Sequence, residues 1–420
     1  MYVIKPVKSL SSQIRVPGSK SYTHRVLIAS ALSDGVCSIS NALKSEDTDL
    51  TIKALKRFGV EITEVKEKLL VHGSKGRLTG GGTIFLANSG TSMRFLTAVA
   101  SLAEGETVLT GNDRMKERPL GDLILGLQRI GVLIESLESD GYPPVCVKGG
   151  IPEGGDIKLE CTVSSQFLSA ILLIAPLTRQ GIRVKIIGEP VSKPYIDMTL
   201  EVMKLFGIML SRNGYTEFSL DGMQSYRAGD FTIEPDASNA SYFWAAAAVM
   251  GESVKVMGLS GESSQGDMKF LHCLERMGCI VENEQDGIRV TGASLRAIDV
   301  DMGDMPDMVP TVAVVAAFAD GVTRIRNIAH LRVKECDRIS ALANELKKMG
   351  IRVRQDEGVV EVSGGNPRGV EIETYNDHRI AMSFSICGLK VPGVSIRNEG
   401  CVAKSFPSYW EVFESLYSEG

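Results

Sequence analysis

Histidine is scarce, five in 420 residues and none paired at ligand spacing, so the sequence predicts no metal site. The eight cysteines (Cys37, Cys146, Cys161, Cys273, Cys279, Cys336, Cys387, Cys401) are scattered without a close pair. That pattern predicts reduced, mostly buried thiols and a cytoplasmic protein. Positive charge is not in excess: 46 Lys and Arg stand against 51 Asp and Glu, a net charge of -5. Broad nucleic-acid or membrane-surface binding is therefore not expected, and any cationic site must be local. The longest apolar stretches, Ala240–Met250 and Val309–Ala319, fall short of the ~20 residues that cross a bilayer, so they are expected to be buried in protein. Nor does the N-terminus carry an apolar signal core, which predicts no export.

What is present is a repeat of roughly 70 residues, longer than common solenoid periods. Six times a small-residue apolar helix runs into an extended segment, at or near Gly35, Gly105, Gly181, Gly251, Gly321 and Gly393. Second helices of the first five units stop at Gly59, Gly131, Gly207, Gly278 and Gly350. First helices such as FLSAILLIAPL and TVAVVAAFA are apolar nearly all round and predict burial on every side. Segments after the second helices, such as IRVRQDEGVVEV, alternate with period two and predict half-buried hairpin strands. The reading is an α/β fold turned inside out, with helices within and sheets outside. Because the sixth unit lacks trailing strands, the extended segments Tyr2–Val7 and Gln13–Val16 are expected to complete the last three units. Two domains of three units follow, residues 1–17 with 235–420 and residues 18–234, with a ligand cleft between them.

Polar clusters fall at the helix starts. PGSKSYTHR sets Lys20, Ser21 and Arg25 at a positive helix end, a good anion site although not a Walker loop. NSGTSMR repeats the theme, with Gly90 permitting close ligand approach. The Gly111–Asp122 loop carries Arg114, Lys116 and Arg118, equally readable as solvated charge. Ser164, Ser165 and Gln166 open an apolar helix, and Ser192 stands in the equivalent place before a second helix. In RVKECDR, Lys334 and Arg338 are like charges one turn apart, which repel unless an anion lies between them. Glu335 sits among these cations. Asp307 heads an apolar helix as either a cap or a catalytic acid, and Asp236 and Asp377 read as caps. Arg379 and Lys404 each lie at or just before another helix start.

Taken in order, PGSKSYTHR, NSGTSMR, DRMKERPLGD, VSSQFLSA, VSKPYID, DASNASYF, RVKECDR, NDHR and AKSFP closely resemble the 5-enolpyruvylshikimate-3-phosphate synthase family across almost the whole chain. The resemblance implies a 3-phosphoshikimate 1-carboxyvinyltransferase with two lobes, no metal and no organic cofactor. Its reaction transfers the enolpyruvyl group of phosphoenolpyruvate to the 5-hydroxyl of shikimate 3-phosphate, a shikimate-pathway step toward chorismate and aromatic amino acids. By motif, Lys20, Ser21, Arg25, Ser164, Ser165, Gln166, Ser192, Asp307 and Lys334 are expected to hold shikimate 3-phosphate. Lys20, Gly90, Arg114, Gln166, Arg338, Arg379 and Lys404 are expected to hold phosphoenolpyruvate. Asp307 matches the proposed base, Glu335 the proposed proton donor, and Lys20 is counted with them. Gly90 accompanies glyphosate sensitivity in the family, so inhibition by glyphosate is expected. His330 stands where many members have an amide that contacts shikimate. A single chain, a monomer, is expected to suffice.

Two other readings compete. The related enolpyruvyl transferase acting on UDP-N-acetylglucosamine usually carries a cysteine in the loop over its site, and Gly111–Asp122 has none. A non-catalytic anion-binding protein on the same scaffold would be free to lose Asp307, Glu335 or Lys404, and all three are present.

Overall fold

The computed structural model describes residues 1–10 and 13–417. Ser11, Ser12 and residues 418–420, which the expected domain limits include, lie outside the described residues. The chain divides into two compact units, Met1–Ser19 with Glu234–Gly420, and Lys20–Ile233.

Within Lys20–Ile233 the apolar helices Lys20–Leu32, Gly90–Ala100 and Gln166–Ile174 are inner ones. In the first, every residue from Tyr22 to Leu32 is buried, which a helix without a polar face requires. The second helices Glu46–Arg57, Gly121–Arg129 and Lys193–Leu205 are amphipathic. Glu46–Arg57 buries Asp47, Thr48, Thr51, Ala54 and Leu55, and its start is fixed by a capping box between Ser45 and Thr48. Its end is marked by Gly59, whose φ of +88° suits glycine better than any other residue.

Three sheets accompany these helices, each with two antiparallel pairings; two have one parallel pairing, and the second has two because Leu78–Thr79 also runs parallel to Ala103–Thr110. Val36–Ser40 runs parallel to Asp230–Thr232 and antiparallel to Lys68–His72, which pairs in turn with Glu61–Val65. Ala103–Thr110 is flanked by Gly82–Phe85 in parallel and Val145–Gly149 antiparallel, with Leu133–Ser136 beyond. Ile182–Ile187 lies between Gly155–Glu160 and Glu217–Leu220, with Ser211–Asn213 at the edge. Its residues alternate strictly between buried and exposed, so one face meets the core and a slip of one residue would invert it.

The other unit repeats the plan around Ala237–Met250, Val309–Ala316 and His378–Lys390. Its sheets are built on Ser253–Met257, Val322–Arg326 and Ser395–Ile396. The N-terminal segment supplies two strands, Gln13–Ile14 parallel to Ser253–Met257 and Tyr2–Val3 antiparallel to Ser395–Ile396. These strands are shorter than the expected Tyr2–Val7 and Gln13–Val16. Pro6 has no N–H to continue the Tyr2–Val3 ladder. They complete the sheets of the fourth and sixth units, whereas Asp299–Asp301 serves the fifth.

The unit boundaries fall at Ser19/Lys20 and Ile233/Glu234. Gly18 and Ser19 stay with the discontinuous unit because Ser19 N–H donates to Glu234 O at 2.8 Å and Asp236 N–H to Pro17 O at 2.9 Å.

One further regularity is close approach rather than turn geometry. At or just after the last hairpin strand of five units lie Gly73, Gly149, Gly222, Gly292 and Gly364. A Cβ there would meet backbone oxygen at or just beyond the end of an inner helix: Ser33 O at 2.3 Å, Ala103 O at 1.8 Å, Thr178 O at 2.3 Å, Ala247 O at 2.2 Å and Ala319 O at 1.6 Å. Only a hydrogen fits at each contact.

Candidate active site

The residues singled out by motif collect at helix starts, in one group on each unit. On Lys20–Ile233, Lys20 opens its helix and pairs with buried Asp47 at 3.1 Å. Arg25, one turn on, is only 1% exposed. It donates from Nε to Thr199 Oγ1 at 2.8 Å, from Nη1 to Ser21 O at 2.9 Å and from Nη2 to Tyr195 O at 2.9 Å, and it lies over Phe95. Burial pulls its pKa down to about 10, still charged at neutral pH. Ser164 and Ser165 are buried ahead of the helix that starts at Gln166, whose Nε2 donates to Thr91 Oγ1 at 2.9 Å. That bond ties the start of Gln166–Ile174 to the start of Gly90–Ala100. Ser192, at φ +56°, is held in the left-handed region just before Lys193–Leu205, a strained conformation of the kind that clusters at ligand sites.

Gly90 marks a cationic corner. A Cβ at this position would lie 2.5 Å from Arg118 Nη2 and 2.6 Å from Arg94 Nη1. Both arginines are 4% exposed and pinned: Arg118 donates to Asn88 O at 3.0 Å and Oδ1 at 3.1 Å, Arg94 to Gly90 O at 3.0 Å. Arg114, the residue expected here from its motif, is turned outward and bonds Glu117 at 2.8 Å. The reason is local. Asn112 caps the short helix Asp113–Lys116, which sends Arg114 and Lys116 to surface partners and returns the chain inward at Arg118.

On the other unit, Asp307 lies in a turn of 3-10 helix just before Val309–Ala316. Its two oxygens accept from different arginines, Arg338 Nη1 at 2.8 Å and Arg379 Nη2 at 2.7 Å. Arg338 is 1% exposed and also reaches Glu335 and Asp377, each at 2.7 Å. Arg379 Nη1 donates to Tyr242 OH at 3.3 Å. Asp377 was expected only as a cap; besides accepting from Arg379 N at 2.9 Å, it anchors Arg338 Nε.

Burial alone would raise the Asp307 pKa, but Arg379, Arg338 and Lys334 outweigh it and hold the carboxyl well below the usual range. Burial, and then Lys334, pushes His330 down to about 3, so its imidazole is neutral at physiological pH. Burial, and then Asp377, pushes the Cys336 thiol far up, which makes it inert as a nucleophile. Lys404 ends a 3-10 helix and is 8% exposed.

Two buried guanidiniums converge on one carboxylate on this unit, and Lys20, Arg94 and Arg118 lie on the other; each group by itself suits a small anion. Residues 4–413 match the model of a family described as EPSP synthase (3-phosphoshikimate 1-carboxyvinyltransferase). The chain belongs to the EPSP synthase family. It is 42% identical over 421 residues to a 3-phosphoshikimate 1-carboxyvinyltransferase of Sulfurovum sp., covering 99% of each chain. It is 44% identical over 415 residues to that of Pseudoalteromonas atlantica, covering 97% of this chain and 96% of the relative. Among solved structures, an EPSP synthase from Acinetobacter baumannii superposes with a TM-score of 0.83 at 29% identity, covering 99% and 98% of the two chains. EPSP synthase structures have the two-lobe inside-out α/β fold. The substrates of the EPSP synthase family, phosphoenolpyruvate and shikimate 3-phosphate, both carry phosphate and carboxylate groups. Among the described residues no helix is long and apolar enough to cross a membrane.

Sequence reasoning named Arg94 and Arg118 within their motifs without giving either a substrate, and it did not single out Asp47 or Tyr242.

Proposed function

We infer that the chain carries out its family's reaction by letting two anionic substrates replace the ion pairs that fill the site in their absence. The transfer takes the enolpyruvyl group of phosphoenolpyruvate to the 5-hydroxyl of shikimate 3-phosphate and releases phosphate. The observation that carries the mechanism is the pair of bonds from Arg338 and Arg379 to Asp307. A carboxylate held so far below its ordinary pKa is a poor base. When the carboxylate and phosphate of phosphoenolpyruvate take over the two guanidiniums, that restraint is lifted and Asp307 regains basicity.

The hydroxyl oxygen then bonds to C2 of phosphoenolpyruvate while its proton passes to Asp307, and C3 takes a proton from Glu335. A tetrahedral intermediate with a methyl group results. Elimination returns the C3 proton to Glu335 and breaks the C2–O bond to phosphate, which leaves with the proton held by Asp307. Lys20, Gln166, Arg118, Arg338, Arg379 and Lys404 stabilise the charge on phosphoenolpyruvate, a term often worth several kcal/mol. Arg118 takes the place expected of Arg114, on the strength of its contact with Gly90. Ser21, Arg25, Ser164, Ser165, Ser192 and Lys334 serve shikimate 3-phosphate.

We place the reaction in the cytoplasm, in a single chain. The eight cysteines are free thiols and one chain carries every group named. Sedimentation of the purified protein tests the monomer.

The deciding assay is phosphate release with phosphoenolpyruvate plus shikimate 3-phosphate, against phosphoenolpyruvate plus UDP-N-acetylglucosamine. Release with the first pair alone is expected; release only with the second overturns the assignment. Asp307→Asn should lower kcat about 10²–10⁴-fold while shikimate 3-phosphate still binds. Near-normal turnover would remove Asp307 from the base role.

A further inference from the structure

Behind the Asp307 site lies a buried carboxylate to which the mechanism gives no task. Asp267 is 4% exposed, in the 3-10 turn Gly266–Met268 packed on the inner helix Ala237–Met250. Ser238 Oγ donates to its Oδ2. One turn further on, on the same face of that helix, Tyr242 accepts from Arg379, which holds Asp307. Asp267 is thus joined to the Asp307–Arg379 pair through a single helix face. Its backbone is fixed by Gln265, whose Oε1 accepts from Ala237 N at 3.0 Å and whose Nε2 donates to Pro235 O at 2.8 Å.

The charged groups that face it include Asp307 from the turn before Val309–Ala316, Arg379 from His378–Lys390 and Asp236 from the head of Ala237–Met250. The adjacent Lys269 is engaged with Asp304 at the surface, at 2.9 Å.

We propose that Asp267 is the proton-accepting counter-charge of this half-site: when an anionic substrate takes Arg379 and Arg338 from Asp307, a proton enters on Asp267, and Asp307 stays ionised as the base. The proposal rests on the anion-binding reading given above. Entry of a phosphorylated carboxylate adds negative charge to a buried cluster that already holds Asp307, Glu335, Asp377 and Asp267, and some group must compensate. Asp267 is poised to take a proton near neutral pH. Burial and the Asp307 charge, opposed by Arg379 and by the Ser238 hydrogen bond, push it up to about 6, whereas Asp307 lies well below the usual carboxylate range.

The test is calorimetric titration of phosphoenolpyruvate into the enzyme saturated with shikimate 3-phosphate, at pH 7, in buffers of different ionisation enthalpy. Because bound substrates turn over, the Glu335→Gln background, which removes the C3 proton donor and leaves the Asp307–Arg379 pair charged, is used with and without Asp267→Asn. The difference in protons taken up cancels the proton change of the ligand itself. Per ligand bound, the protein that retains Asp267 should take up more protons than the one carrying Asp267→Asn, by roughly half a proton or more. Equal proton counts with intact binding overturn the proposal; absence of phosphoenolpyruvate binding to the protein with Asp267 intact overturns the anion-site reading instead. Ser238→Ala gives an independent check if Asp267→Asn does not fold. Loss of that hydrogen bond should move the pH dependence of proton uptake to higher pH, and an unmoved curve also overturns the proposal.

Discussion

An alanine at position 90 would press its Cβ against Arg118 and Arg94, both pinned by backbone oxygens. The main chain has no comparable conflict, since Gly90 starts an ordinary helix. Gly90→Ala should therefore raise the KM for phosphoenolpyruvate about 10–100-fold while leaving the melting temperature nearly unchanged, a split that steady-state kinetics with calorimetry will show. The two cations of the same loop should separate as well. Arg118→Ala is expected to cost at least ~100-fold in kcat/KM and Arg114→Ala only a few-fold, because Arg114 is partly exposed and pairs with an exposed glutamate. Spacing alone did not distinguish them, for a side chain's direction depends on the capped turn Asp113–Lys116. Titration supplies a prediction of stability. His330 has its folded pKa pushed down to about 3, below the unfolded value near 6.5, so the unfolded state binds more protons between those limits. Its contribution is complete above pH 6.5 and is lost as pH falls toward 3. Asp267, raised from 3.8 to about 6, acts with the opposite sign, and stability is gained as pH falls through that window. Urea unfolding between pH 7 and 4.5 should thus show a shallower acid loss in His330→Asn and a steeper one in Asp267→Asn. The charged residues at helix starts were legible in the sequence as a class. Their pairings, Lys20 with Asp47 or Tyr242 with Arg379, were not, because each joins residues distant in the chain.

Among the elements, the inner helices were the most legible, since an apolar surface on every side admits burial and little else. The strand expected over Tyr2–Val7 was too long because the segment runs on through Pro6, which the ladder cannot accept. The recurring glycines at the hairpin ends escaped notice, for nothing in a local window shows that another backbone passes there. They carry a clear expectation. Gly364→Ala would put a Cβ 1.6 Å from Ala319 O, backbone that cannot swing aside, whereas at Gly400 nothing lies within 4 Å. Gly364→Ala should destabilise by about 2–4 kcal/mol or prevent folding, and Gly400→Ala should stay within about 0.5 kcal/mol, as read by denaturant unfolding. Similar unfolding midpoints for the two would show that the sheet can move away from the helix end.

At the scale of the molecule, the unit Lys20–Ile233 is continuous and closes its sheets with its own strands, Asp230–Thr232 returning to Val36–Ser40. A fragment of residues 20–233 should accordingly unfold cooperatively by circular dichroism, and one ending at residue 226 should not, since it leaves Val36–Ser40 as an open edge. The fragment should release no phosphate, because Asp307, Arg338 and Arg379 lie on the other unit. The six-unit pattern made the repeated architecture legible, but a repeat does not say which strand closes which sheet. That closure gives the protein a direction in time. Tyr2–Val3 leaves the ribosome well ahead of its partner Ser395–Ile396. At ~5–20 residues per second the opening strand waits on the order of tens of seconds, while Lys20–Ile233 can fold behind it. Birth order and folding order are thus reversed: Tyr2–Val3 is made before Lys20–Ile233 yet finds its place after it, and until then it is open to any chaperone or protease that meets the nascent chain.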